Sequence, residues 1–253
     1  MSELVKRTLF GVLYVALVVA CLQFFPDFAA PLFMLFSLLC VLEVVRLSDL
    51  KRLNVGWFVG LWLLTWAALY LPFPPELLAV TIVLLYVVSM VLDRVTWRVL
   101  YVMQPFVLSV FAVKAGFFMS YDVVLMVFIL IWLNDSGAYV FGRTFGKTLL
   151  APKVSPKKTW EGFAGGILSA AFIQLLVFPF IYEGYNWVYG VVAAILVGSS
   201  ATLGDLIQSR MKRKAGVKDS GNILPGHGGA FDRLDSFIFA MPVVFIFYTI
   251  IYL

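Results

Sequence analysis

Apolar residues in this chain gather into runs of about twenty, and polar residues fall almost entirely between those runs. An α-helix rises about 1.5 Å per residue, so roughly 20 apolar residues cross the hydrocarbon core of a bilayer. The pattern predicts spanning helices at residues 8–26, 28–47, 54–71, 75–92, 99–119, 121–141, 160–181, 187–207 and 236–253, nine in all. Their connections alternate in charge. Lys6 and Arg7, then Arg46, Lys51 and Arg52, then Arg94 and Arg98, then the 143–158 and 210–233 loops fall on one side. Pro26-Asp27 and the connections at 71–75, 120–122 and 182–186 fall on the other, and carry no Lys or Arg. All but Lys114 of the 19 cationic residues share the first side, which the positive-inside rule makes cytoplasmic. The expectation is an all-α, polytopic helical membrane protein of about nine transmembrane helices, with its N-terminus in the cytoplasm and its C-terminus outside.

Composition excludes the soluble classes. Of 253 residues, 62% are hydrophobic and 13% charged, with mean hydropathy +0.99, too few polar groups to cover a soluble domain of this size. The net charge of +5 is a consequence of membrane topology and calls for no nucleic-acid partner. Cys21 and Cys40 lie within apolar runs and read as core or lipid-facing residues, not as a disulfide. The first run has a basic flank but no small-x-small cleavage site, so it reads as a retained span. There is no linker, low-complexity segment or internal repeat, so the chain reads as one membrane domain. Residues 1–120 supply scaffold helices with few polar residues, mainly Glu43 and Lys114. Residues 121–253 carry the chemistry.

Three polar clusters on the cytoplasmic side point to that chemistry. Asn134-Asp135 lies inside the sixth run, followed by Tyr139, Gly142, Arg143, Gly146 and Lys147. A carboxylate within a span costs about 2.5–3.5 kcal/mol to insert, so it faces a bundle interior or a watery cavity. The second cluster, Lys153-Val-Ser155-Pro156-Lys157-Lys158-Thr159-Trp160-Glu161, reads as a helix start with Ser155 as N-cap and Pro156 at the first helical position. Such an end, beside two lysines, suits an anionic phosphate. A routine cap with topological charge would look the same.

The third cluster runs from Asp205 to Asp235. Asp205 closes one apolar run, and Asp232 and Asp235 open the next, with the helix itself beginning near Phe231. Between them lie Ser209, Lys212, Arg213, Lys214, Lys218, Asp219 and the turn Pro225-Gly-His227-Gly-Gly229, whose glycines let backbone approach a ligand closely. Carboxylates at helix starts complement the dipole, but that does not explain Asp205 or the cations crowded between. Oxygen ligands with room for water suit Mg²⁺ and phosphates, so Asp205 and Asp232 are candidates to hold metal against a triphosphate. Asp219 and Asp235 would hold the metal's waters or orient cations, and Asp135 would line the same cavity. His227 reads as a phosphate donor or loop-ordering residue, because a phosphate monoester with a second pKa of about 6 is already largely ionised and needs no base.

The stretch Ser209-x-Met211-Lys212-Arg213, four residues, then Lys218-Asp219-x-Gly221-x-x-Leu224-Pro225-x-His227-Gly228-Gly229-Ala230-x-Asp232-Arg233-Leu234-Asp235 resembles the signature of the phosphatidate cytidylyltransferases, or CDP-diacylglycerol synthases. Ser155-Pro-Lys-Lys-Thr-Trp-Glu-Gly162 and Asp135 with Ala138-Tyr139 and Gly142 resemble the same family in order and separation. The likeness covers about the last 120 residues; the first five spans match only in hydropathy. Ala230 departs from it, standing where the family usually carries a larger residue. The resemblance implies CTP and phosphatidate as substrates and CDP-diacylglycerol and pyrophosphate as products. It also implies Mg²⁺, with any second metal ion unassigned, and a homodimer in a bacterial cytoplasmic membrane with its polar cavity facing the cytoplasm and open to membrane lipids. Catalytic work would then fall to Asp205, Asp219, Asp232, Lys212, Arg213 and His227. Ser155, Lys157, Lys158, Lys218 and Arg233 would bind substrate, and metal would sit among Asp135, Asp205, Asp232 and Asp235. A CTP-dependent polyprenol or lipid kinase, and less readily a transporter, remain alternatives at this point.

Overall fold

In the computed structural model, the structure describes residues 3–47, 59–60, 62–63, 116, 119–180, 185–221, 223 and 228–252. Helix α1 (Glu3–Val19) runs on through a wider π-helical turn, Ala20–Phe24. A short 3₁₀ turn at Pro26–Phe28 leads into α2 (Ala29–Leu47). Then come α3 (Tyr121–Phe145), a two-stranded antiparallel hairpin of β1 (Leu149–Ala151) and β2 (Ser155–Thr159), and α4 (Trp160–Val177) with a 3₁₀ extension to Phe180. Helices α5 (Trp187–Lys214) and α6 (Phe231–Tyr252) complete the described elements.

Five of these segments are long and apolar enough to span a bilayer: Pro26–Leu47, Tyr121–Phe145, Trp160–Phe180, Trp187–Lys214 and Phe231–Ile251. Thr8–Phe24 forms a shorter apolar helix. The protein is therefore an all-α polytopic membrane protein. The expected spans 54–71, 75–92 and 99–119 lie almost wholly outside the described residues, as do Lys114 and His227.

Two boundaries differ from expectation for local reasons. The run 155–159 is a strand, not a helix start: Pro156 presses the residue before it into extended backbone, and Ser155 pairs with Ala151 across the hairpin. The N-cap is instead Thr159, whose Oγ1 accepts from the Gly162 amide at 3.1 Å. Helix α5 also outruns its apolar stretch by two turns, because Leu206, Gln208, Arg210, Met211, Lys212 and Arg213 all favour helix. Gly216 ends it at φ +72°, with the Gly216 amide bonded to the Arg213 carbonyl and the Val217 amide to the Lys212 carbonyl, the paired bonds of a Schellman stop. Lys212, Arg213 and Lys214 thus occupy the last turn, at the negative end of the dipole, and Asp205 stands inside the helix rather than at its end.

Small residues let α3 and α4 approach closely. Gly162 and Gly166, four apart, form a small-xxx-small face on α4. A β-carbon at Gly166 would come within 2.7 Å of the Asn134 carbonyl oxygen, and one at Gly162 within 2.8 Å of the Ala138 carbonyl oxygen. Gly166→Leu should therefore cost about 1–3 kcal/mol or more from overpacking, seen as a lower unfolding temperature in detergent. Gly60→Ala, which meets nothing within 4 Å, is the control. On the other side, α2 is tied to α3 and α6 by Phe33, Phe128 and Phe237. Their rings stack at centroid distances of 6.3 Å (Phe33–Phe128), 5.9 Å (Phe33–Phe237) and 4.1 Å (Phe128–Phe237), and all three are buried.

Candidate active site

This arrangement gathers the C-terminal halves of α2, α3 and α5, the starts of α4 and α6, and the hairpin at one end of the bundle. A cavity of about 360 Å³ opens there. Helix α3 lends Asn134, Asp135 and Tyr139 to its wall; β2 lends Lys157 and Lys158; α5 lends Thr202 and Asp205; and α6 lends Asp232, Asp235 and Ser236. Glu161 steadies the hairpin's base by accepting from the amides of Lys147 (3.1 Å) and Thr148 (3.2 Å). A second cavity, about 270 Å³, lies on the α1 side and is walled by Phe10, Tyr14, Val15, Phe128, Ile131 and Trp132, with Arg233 at its polar end. The two cavities share Asp135, Asp232, Asp235 and Ser236. One is lysine-lined, the other mostly apolar, and they meet at carboxylates.

The carboxylates are not equivalent. Asp205 forms an ion pair with Lys158, and its Oδ1 accepts from Ser209 Oγ at 3.2 Å. Both side chains of the pair are a little over a quarter exposed, so solvent reaches it from the cavity. Asp232 is far more enclosed. Its Oδ1 accepts from Lys212 Nζ at 2.7 Å, and its Oδ2 from the Ser220 amide (2.8 Å), Ser220 Oγ (2.9 Å) and the Gly229 amide (2.9 Å). Gly228 makes that wrap possible. Its φ is +84°, and a β-carbon there would lie 2.6 Å from Asp232 Oδ2. Asp235 Oδ1 accepts from the Ser236 amide at 2.7 Å.

Asp205 and Asp232, expected to hold a metal together, line the same cavity with different partners. Asp232 is occupied by four donors and ties α5, the loop and α6 together, and Lys212 is committed to it instead of standing free for a phosphate. Asp135, Asp232 and Asp235 all share the lysine-lined cavity with Asp205, and of these Asp135 and Asp235 interact with it electrostatically. Among the described residues, no three Asp, Glu, His or Cys side chains close into a ready-made metal cage.

The other expected residues divide. Lys157 and Lys158 reach the cavity, and Arg233 reaches the α1-side cavity. Ser155 is in the hairpin and not among the cavity's lining residues. Arg213 and Lys218 are exposed; the Arg213 guanidinium donates to the Val217 carbonyl at 2.9 Å, fastening the turn after α5. Asp219 is exposed beside Gly228, behind Asp232. His227 lies outside the described residues.

Residues 5–251 match the Cytidylyltransferase family, nearly the whole chain. The chain belongs to this family. Among curated relatives, the chain is 44% identical over 144 residues to a protein of Staphylococcus epidermidis, covering 54% of this chain and 55% of the other. It is 47% identical over 131 residues to one of Haemophilus influenzae (49% and 44%) and 43% identical over 145 residues to one of Staphylococcus aureus (54% and 55%). All three are named phosphatidate cytidylyltransferase. The matched stretch spans about half the length of each of these relatives.

Two groups at or beside the candidate site went unassigned in the sequence reading. Ser220, hydrogen-bonded to Asp232, carries no motif-level signal. Glu43 is visible as an acidic residue in an apolar span, a pattern that marks function, yet its partners lie about 180 residues away in sequence.

Proposed function

We propose that the chain transfers CMP from CTP to phosphatidate, giving CDP-diacylglycerol and pyrophosphate. The observation that carries this reading is the pair of cavities meeting at Asp135, Asp232, Asp235 and Ser236. The lysine-lined cavity suits a triphosphate. Lys157 and Lys158 bring two positive charges, and the positive end of α4, capped by Thr159, follows directly. The apolar cavity, with Arg233 at its polar end, suits the glycerol and upper acyl region of an anionic lipid. An oxygen of the lipid phosphate would attack the CTP α-phosphorus in line as its bond to the bridging oxygen breaks and pyrophosphate departs. The attacking monoester is already largely ionised near neutral pH. The protein's task is therefore orientation and charge neutralisation. Lys158 and its partner Asp205 both line the cavity, so a phosphate oxygen entering there can take over the lysine's charge.

Mg²⁺ fits the donor set. Asp135, Asp205 and Asp235 line one cavity and carry hard oxygen donors of the kind that Mg²⁺ takes. Bound there, Mg²⁺ would neutralise phosphate charge. Asp232, saturated by four donors, would steady the site beside it. The loop holding His227 would order phosphate contacts. We place the site on the cytoplasmic face of a bacterial cytoplasmic membrane, from the positive-inside asymmetry, and extend the proposal to a homodimer.

The test is purified protein in detergent with phosphatidate, Mg²⁺ and labelled nucleoside triphosphates, following both the lipid and pyrophosphate. CTP should yield a CMP-bearing lipid and one pyrophosphate per turnover. A phosphorylated lipid with CDP released would make it a kinase instead.

A further inference from the structure

We propose that Glu43, on α2, is a positioning residue for the loop that carries Asp232 and for the start of α6; this rests on the reading of that end of the bundle as the site of CMP transfer. Glu43 is fully buried among Val41, Val44 and Val45 of an apolar span. A carboxylate in such a place is strongly disfavoured unless its oxygens are met by donors. They are met from the far end of the sequence. Oε1 accepts from the Ala230 amide at 3.0 Å, and Oε2 from the Phe231 amide at 2.9 Å and Ser220 Oγ at 2.7 Å.

Those amides are leading donors of α6, which have no partner within their own helix. With the Gly229 amide on Asp232, three successive amides are divided between two carboxylates, so Glu43 and Asp232 together set how α6 begins. The Ser220 hydroxyl joins them. It has one proton to share between Glu43 Oε2 and Asp232 Oδ2. The close approach also accounts for two glycines of the motif. A β-carbon at Gly221 would lie 2.6 Å, and one at Gly229 2.2 Å, from a Glu43 carboxylate oxygen. Glu43 itself lines neither cavity, so it acts through Asp232 and the loop.

The experiment compares the unaltered protein with Glu43→Ala, Glu43→Gln and Ser220→Ala in the CMP-transfer assay. Thermal unfolding and hydrogen exchange at the Ala230 and Phe231 amides are measured alongside. Removing an outer partner of this kind costs about 10–100-fold in activity at comparable sites. Glu43→Ala should lower kcat per folded molecule by that order and speed exchange at both amides. KM for CTP should stay within about twofold, because Lys157 and Lys158 lie on the hairpin, away from this contact. Glu43→Gln, which keeps an acceptor, should recover part of kcat, and Ser220→Ala should show a smaller loss. If Glu43→Ala does not fold, Glu43→Gln and Ser220→Ala carry the test, and full kcat in both overturns the proposal. So does a Glu43→Ala protein of lowered stability whose folded fraction keeps full kcat, since that is a purely structural role. Failure of the unaltered protein to transfer CMP would sink the functional reading instead, and amide exchange would still read whether Glu43 holds the loop.

Discussion

Asp205→Asn should lower the rate of CMP transfer by about 10²–10³-fold while leaving the protein folded, the scale seen when one preorganised electrostatic group is removed from an active site. The substitution keeps the shape of the side chain and leaves an oxygen for Ser209 Oγ, so α5 loses little. What it removes is one of the four carboxylates that line the lysine-lined cavity, and the partner of Lys158. That pair is partly open to solvent, so its loss should change stability by less than about 1 kcal/mol. Lys158→Met, read in the same assay, should act mainly through KM for CTP, since it removes a phosphate-facing cation while leaving the carboxylates in place. Near-normal turnover in Asp205→Asn at saturating Mg²⁺ would remove Asp205 from the site, and a matching fall in unfolding temperature would reassign it to structure.

The parts of the fold that hydropathy governs were legible before any coordinates. Six of the nine expected spans coincide with described helices, because some twenty apolar residues admit few structures in lipid. The misreadings sit at helix ends, where a single side chain decides. Ser155-Pro156 carries the local marks of a cap, yet the next turn is closed by Thr159, and the five residues from Ser155 pair back on Leu149–Ala151. Helix α5 continues past its apolar stretch because propensity, not hydropathy, governs residues already outside the lipid. Of the expected residues, Asp135, Lys157, Lys158, Asp205, Asp232 and Asp235 do line one cavity, but their pairing was not legible. Which partners Asp232 meets is set by Ser220 and Gly229, and their neighbours Ala230 and Phe231, like Ser220 itself, bond to Glu43, a contact made across some 180 residues of sequence.

Asp232→Asn should be the most damaging substitution for stability as well as for rate, and the two effects can be separated. Lys212 and Asp232 side chains are only 9% and 6% exposed, so solvent screens little of the pair. Breaking a buried pair from one side leaves an uncompensated charge, at a cost of about 3–5 kcal/mol. Here the stranded charge is the Lys212 ammonium, while an amide at position 232 also meets the Ser220 and Gly229 amides less well than a carboxylate does. Lys212→Met should cost less, because Asp232 keeps the Ser220 amide, Ser220 Oγ and the Gly229 amide. In the double variant Lys212→Met/Asp232→Asn the stranded charge is gone, so unfolding in detergent should show recovery of about 1–3 kcal/mol relative to Asp232→Asn alone. Turnover should not recover with it, because Asp232 borders both cavities and its negative charge is still missing. If stability and turnover return together, Asp232 is a brace for the loop alone, and holding a cation against the phosphates falls to Asp135, Asp205 and Asp235.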